Sequence, residues 1–212
     1  MPEFPGFCGP SYALESLNAD AQMCKNWYPE RSELGTGKSM WILNPTPGLQ
    51  LFCDLGGSKT RGQVSINGRN FAVSDANFYE ISAAGVKTLR NAAVPLSDDT
   101  FLCLFAVSAT QILIASAGLV YLFTLATNVF QAIDPTKFDG NVGQVHYVDA
   151  FFIAVMLGKQ KFQFSGILDG TAWDALDFDV VSVLPDNIIG SIADHRELVL
   201  LGGTKTTFYQ NT

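Results

Sequence analysis

The densest run of side chains able to do chemistry is Asp169-Gly170-Thr171-Ala172-Trp173-Asp174, continued by Asp177 and Asp179. Two carboxylates at the right separation cleave glycosides, one as acid and the other as base or nucleophile. Clustered carboxylates also hold hard cations. A calcium loop alternates its ligands about a glycine bend, and DGTAWDALDFD does not follow that pattern. The reading favoured for Asp169, Gly170, Thr171, Trp173 and Asp174 is therefore a structural turn motif. Asp-Gly sets a tight turn, Thr171 bonds local backbone, and Trp173 plugs between sheets.

Other candidates are weaker. Gly35-Thr36-Gly37-Lys38-Ser39 ends like a phosphate-binding loop, but the required earlier glycine is Ser32, and no strand and helix flank the run. Gly56-Gly57-Ser58-Lys59-Thr60 lacks the spacing too and reads as a hairpin turn. His146 and His195 have no serine or cysteine in a nucleophile context and read as surface or strand-end residues. Cys8, Cys24, Cys53 and Cys103 form no C-x-x-C pair, so zinc is not expected. The opening MPEFPGFCGPSY lacks a charged segment followed by an apolar run. Reduced, mostly buried thiols in a reducing compartment are the expectation. No cofactor, metal or catalytic residue is assigned, and an enzyme is not expected.

Composition narrows the elements that must carry these residues. Of 212 residues, 48% are apolar and 16% charged, which excludes disorder over most of the length. The net charge of −7 argues against binding nucleic acid by phosphate neutralisation. Residues 98–194 carry 11 acidic side chains against Lys137, Lys159 and Lys161. Residues 100–133 hold no charge and are long enough to span a bilayer. Ser108, Thr110, Gln111, Ser116 and Gly118 break this run into strand-length pieces rich in β-formers, so strands are expected and a membrane span is not.

Residues 1–48 contain six of the nine prolines and no sustained periodicity. They read as an extended, proline-rich N-terminal arm, bounded by the turn cluster Asn44-Pro45-Thr46-Pro47-Gly48. From residue 49 to 212 a repeat emerges. Asn70–Ile81, Gln111–Phe123, Phe151–Phe164 and Glu197–Tyr209 each hold an apolar strand, a small turn and a second strand with an aromatic. Those aromatics, Tyr79, Tyr121, Phe162 and Phe208, stand 42, 41 and 46 residues apart. Preceding strands fit at 62–66, 101–107, 143–148 and 188–193, and fourth strands at 86–89, 129–133 and 180–184. Four strands per unit of roughly 42 residues is the arithmetic of a β-propeller blade. The fold class expected is all-β and β-propeller-like, with about four blade repeats. An irregular β-sandwich is the alternative. The last unit stops after its third strand, so the ring is incomplete unless Leu49–Cys53 supplies an outer strand. A propeller that grips carboxylate sugars would need several matched arginines, and the five here stand in dissimilar settings.

Several stretches carry a family resemblance. They are Asn18-Ala19-Asp20-Ala21-Gln22, Asn26-Trp27-Tyr28-Pro29-Glu30 and Asn44-Pro45-Thr46-Pro47-Gly48-Leu49, then Asp149-Ala150-Phe151-Phe152, Phe162-Gln163-Phe164-Ser165 and Asp169–Phe178, and finally Gly202–Tyr209. In order and spacing the chain resembles phage tail proteins of the packaged-DNA stabilisation type, from about residue 14 to 210, and corresponds to their N-terminal half. The resemblance implies a structural virion component, a hub or plug that closes the portal channel of a short tail and retains packaged DNA. It implies localisation in the virion tail, with host cytoplasm during assembly. The implied partners are other tail proteins (portal or adaptor, needle, tail fibre or spike) and further copies around the tail axis. Packaged DNA would lie nearby without sequence-specific binding. Trp27, Tyr28 and Trp41 are the expected interface anchors, because aromatics concentrate interface energy. Asp174, Asp177 and Asp179 are the expected channel-facing acidic residues, where like charge keeps DNA from adhering. The competing function is a carbohydrate-binding or glycoside-cleaving propeller with its site near Asp169–Asp179.

Overall fold

A computed structural model describes residues 26–31, 41–97, 102–181 and 186–210. The chain divides into two compact units, Met1–Leu51 and Phe52–Thr212. In the first, β1 (Trp27–Arg31) and β2 (Trp41–Pro45) form an antiparallel pair, with Tyr28 opposite Asn44 and Glu30 opposite Ile42. The Asn44 amide donates to the Glu30 carboxylate, and the Thr46 N–H donates to the Asn26 carbonyl at 3.0 Å. The segment expected as an extended arm thus contains a two-stranded ribbon.

Among the described residues the second unit holds four antiparallel sheets, each made from consecutive strands. The first holds β3 (Thr60–Ile66), β4 (Arg69–Ser74), β5 (Asn77–Ile81) and β6 (Lys87–Leu89). The second holds β7 (Leu104–Val107), β8 (Gln111–Ser116), β9 (Leu119–Thr124) and β10 (Val129–Ala132). A 3-10 turn at Pro135–Lys137 leads to the third, with β11 (Gln144–Val148), β12 (Phe151–Val155), β13 (Lys161–Gly166) and β14 (Asp169–Val180). The fourth has three strands, β15 (Ile188–Asp194), β16 (Glu197–Gly202) and β17 (Thr206–Gln210). Local chemistry sets these hairpins. Asn67 (φ 50°) and Gly68 (φ 73°) join β3 to β4, the left-handed pair that matches a hairpin's twist.

Consecutive sheets bury apolar faces against one another. Phe71, Val73 and Phe78 of the first sheet meet Ile112, Ile114, Tyr121 and Phe123 of the second. The second sheet's other face, with Leu113, Val120 and Leu122, meets Val145, Phe152, Ala154 and Trp173 of the third. Ile153, Val155 and Phe162 of the third then meet Ile188, Leu198 and Leu200 of the fourth. No single sheet can hide two apolar faces alone, so stacking is what stabilises each one. The leading strands β3, β7, β11 and β15 touch in that order, which gathers the first edges of all four sheets together. The charge-free run is the second sheet, and β8 is buried along its whole length. Among the described residues no helix is long and apolar enough to cross a membrane.

Two local expectations are corrected. The third sheet's fourth strand is β14 at Asp169–Val180, beginning eleven residues before the expected position at 180. Its pairing is irregular, with Trp173 opposite Ser165 and Phe178 opposite Gln163, so the intervening residues bulge and hide the alternation that marks a strand. Leu49–Cys53 forms no strand, and Leu49 and Leu51 are exposed. The four repeat aromatics lie on different faces of their sheets. Tyr79 and Tyr121 point toward the preceding side of their sheets, whereas Phe162 and Phe208 point to the following side. The equivalents of Tyr121 are Gln163 and Tyr209, one residue further on, because a one-residue slip in a strand exchanges its faces.

Candidate functional site

The aspartate-rich motif lies on β14, the strand of the third sheet furthest from β11. The tight turn falls just before it, at Leu168 (φ 56°). The Asp169 carboxylate accepts from the Thr171 hydroxyl at 2.6 Å and its N–H at 2.9 Å, which holds it below the usual carboxylate range. Gly170 is wedged between sheets, its N–H donating to Gln111 Oε1 at 2.9 Å. A Cβ there would lie 2.7 Å from Leu122 Cδ1 and 3.0 Å from Phe152 Cδ2, so only glycine fits. Trp173 Nε1 donates to the Gly170 carbonyl at 2.8 Å, and its ring meets Phe138 edge-on at 4.9 Å. Beyond this anchor the strand is exposed. Asp174 accepts from the Leu176 N–H and Asp179 from the Val180 N–H, both at neighbouring backbone, and Asp177 stands in solvent. Among the described residues, no three His, Cys, Asp or Glu side chains converge to hold a metal ion.

Three polar centres join sheets, of which the sequence singles out His146 but neither Arg61 nor Glu80. Arg61 on β3 is 1% exposed. Its guanidinium donates to the carbonyls of Asp75 (3.0 Å) and Ser97 (2.8 Å) and to Ser116 Oγ (2.7 Å), joining the first sheet to the second. Glu80 on β5 accepts two parallel bonds from Arg69, both 2.7 Å, and a third from Arg90 at 2.8 Å. Hydrogen bonding to Arg69 first, and then to Arg90, outweighs desolvation and holds Glu80 at about 2. His146 is the third. It lies in mid-strand on β11, against the expectation of a strand-end residue, and burial pushes its imidazole below the usual range. Its Nε2 is 2.7 Å from Ser191 Oγ on β15. Ser191 donates its proton to Gln144 Oε1 at 2.6 Å, so the histidine is not positioned to take it. This is a polar clamp between leading strands and not a nucleophile–base pair. His195 is instead an exposed turn residue beside Asp194.

A cavity of about 240 Å³ opens between the third and fourth sheets. Phe151, Phe162, Phe164, Leu198 and Tyr209 line it, with Asp179 and Arg196 at polar positions. Phe162 and Tyr209 meet edge-on at 5.0 Å, and the Tyr209 hydroxyl donates to the Val180 carbonyl at 3.0 Å. Arg196 Nε donates to Asp149 at 2.9 Å.

In the N-terminal unit, Trp27 is 50% and Tyr28 48% exposed on adjacent positions of β1, so they serve opposite faces of the ribbon. Trp41 begins β2 opposite Arg31, at the other end of the ribbon from Trp27. The side chain of Trp41 lies outside the described residues. Cys103 is buried and Cys53 half-buried, while Cys8, Cys24 and the loop 35–39 lie outside the described residues.

A family profile described as bacteriophage P22 Gp10, β-propeller, matches residues 14–212, nearly the whole chain. The chain belongs to this family. Membership in the P22 Gp10 family makes it a phage structural protein built of propeller-type sheets. No curated protein matches it in sequence. Solved structures resemble it in fold. BamB from Moraxella catarrhalis matches 70% of this chain at 10% identity with a TM-score of 0.52, and the match spans 42% of BamB. The computationally designed Ika4 matches 77% of this chain and 99% of its own at 7% identity (TM-score 0.54). The designed Ika8 matches 89% of this chain and 57% of its own at 12% identity (TM-score 0.52). At such identities the likeness speaks for fold alone.

Proposed function

We propose that this P22 Gp10-family protein is a tail hub or plug that closes the portal channel of a short-tailed phage and retains packaged DNA, acting as several copies around the tail axis. The observation that carries the reading is the family match over residues 14–212, coinciding with the four stacked sheets. Portal, adaptor, needle and fibre or spike proteins are the partners this role requires. The exposed carboxylates of Asp174, Asp177 and Asp179 on β14 suit a surface that faces packaged DNA without holding it. Trp27 and Tyr28, half exposed on a two-stranded ribbon, suit docking to a neighbouring tail protein. The glycoside-cleaving alternative gains nothing from β14, where Asp174 and Asp179 are engaged by adjacent backbone N–H groups.

The test is a phage carrying Asp174→Asn, Asp177→Asn and Asp179→Asn together. Nuclease protection of packaged genomes and the rate of ejection should both change while the purified variant melts as the parent does. Wild-type retention and ejection would remove these residues from the channel role. Stable, filled particles in the absence of the protein would overturn the plug function itself.

A further inference from the structure

Each joint between consecutive sheets carries a polar tie within its apolar interior, and the three ties differ in chemistry. In the first, the Arg61 guanidinium donates to Ser116 Oγ at 2.7 Å. In the second, Gln111 Oε1 accepts from the Gly170 N–H at 2.9 Å. In the third, His146 Nε2 on β11 meets Ser191 Oγ on β15 at 2.7 Å. A guanidinium is always charged and an amide never is, whereas an imidazole changes charge between about pH 5 and pH 8.

The hydrogen bonds fix where the second proton goes. Ser191 donates to Gln144 Oε1 at 2.6 Å, so Ser191 Oγ is the acceptor of the His146 Nε2–H. The neutral ring thus carries its proton on Nε2, and acid adds another at Nδ1. Among the described residues no group hydrogen-bonds to Nδ1. The elements packed around the ring offer it no counter-charge. β12 and β16 contribute Ile153, Val155, Leu198 and Leu200 to the joint. Tyr147 turns to the second sheet, and β7 and β8 on that side contain no charged residue. The charged groups at the margins are engaged elsewhere. Arg196 donates to Asp149 at 2.9 Å, and Asp194 lies 2.6 Å from His195. Asp186 accepts from the Thr204 N–H and Asp179 from the Val180 N–H, each at 2.7 Å. Glu197 accepts from the Gln210 amide, and the Tyr209 hydroxyl donates to the Val180 carbonyl.

We infer that the joint between β11 and β15 is a proton-operated seam: neutral His146 holds the fourth sheet to the third, and a proton at Nδ1 loosens it. In the loosened form the imidazole returns to water and to its ordinary 6.5, whereas burial holds it lower in the closed form. The loosened form therefore takes the proton first. Opening grows as pH falls through 6.5 and levels off once the closed form is protonated as well.

The test is amide hydrogen exchange on the full chain between about pH 7.5 and pH 5, corrected for intrinsic rates. Protection of the β15 amides should fall about fivefold on acidification, while β8 and β9 keep theirs. His146→Gln retains an N–H donor for Ser191 and takes up no proton, so its β15 protection should stay level. A second readout needs no variant: the imidazole resonances of wild-type His146 should titrate below 6.5. Unchanged β15 protection in the wild type, the same fall in His146→Gln, or an equal fall in β8 and β9 would overturn the seam. So would titration of His146 at or above its ordinary value.

Discussion

The first and third grooves of the stack are built from the same repeat and end differently. In the first, Phe71, Phe78 and Phe123 lie mutually 5.3 Å apart, and Phe130 seals their open side. Arg61 ties the two sheets from within, and the Arg69–Glu80–Arg90 cluster closes the outer margin, with Arg69 also reaching the Leu125 carbonyl at 2.8 Å. In the third, Phe162, Phe164 and Tyr209 border open space. The inner halves of both grooves are equally dry, since Val155, Ile188 and Leu200 are as buried as Phe71 and Phe78. The difference lies in the outer half and follows from one strand. A fourth strand delivers the aromatic that converts two apposed faces into a sealed core, and packing to crystal-like density depends on that last side chain.

The comparison makes measurable demands on stability. Phe123→Ala should cost about 4 kcal/mol, because the surrounding rings cannot collapse into the space left. Phe164→Ala, beside an existing cavity, should cost only about 1–2 kcal/mol. Urea denaturation of the two variants decides it, and equal losses would mean that the third groove is as well packed as the first. Arg61→Met should cost about 3 kcal/mol, since it strands two carbonyls and a hydroxyl in a dry interface. A variant as stable as the parent would show that the arginine only fills volume. The Glu80 cluster gives the smallest and most diagnostic effect. Its carboxylate sits at about 2 in the fold against an ordinary 4.5. The stabilisation is therefore complete above pH 4.5 and is lost as pH falls toward 2. Between those limits the parent should lose about 1–2 kcal/mol more than Glu80→Gln. Parallel acid titrations of the two would show the cluster to be energetically idle.

The hairpins were legible in the sequence because their causes are local. Alternating apolar residues and small turn residues mark β4–β5, β8–β9, β12–β13 and β16–β17 within a few residues of their observed positions. The charge-free stretch was separable from a membrane span by the same logic of short β-forming pieces. What escaped was whatever depends on register or on distant partners. β14 was misplaced because its bulge breaks the period of two. The face that each repeat aromatic serves is not visible in their spacing either, since Phe162 and Phe208 are a residue out of step with Tyr121.

The amino-acid order alone determined that this chain makes short strands in units of about forty residues, since hydrophobic alternation and turn chemistry act over neighbours. Only the tertiary structure decided which faces meet, that a charged Arg61 is buried by pairing with carbonyls up to 36 residues away, and that His146 clamps Ser191 across 45 residues. Those outcomes are set by how sheets stack, and contacts between distant residues leave no periodic trace along the chain.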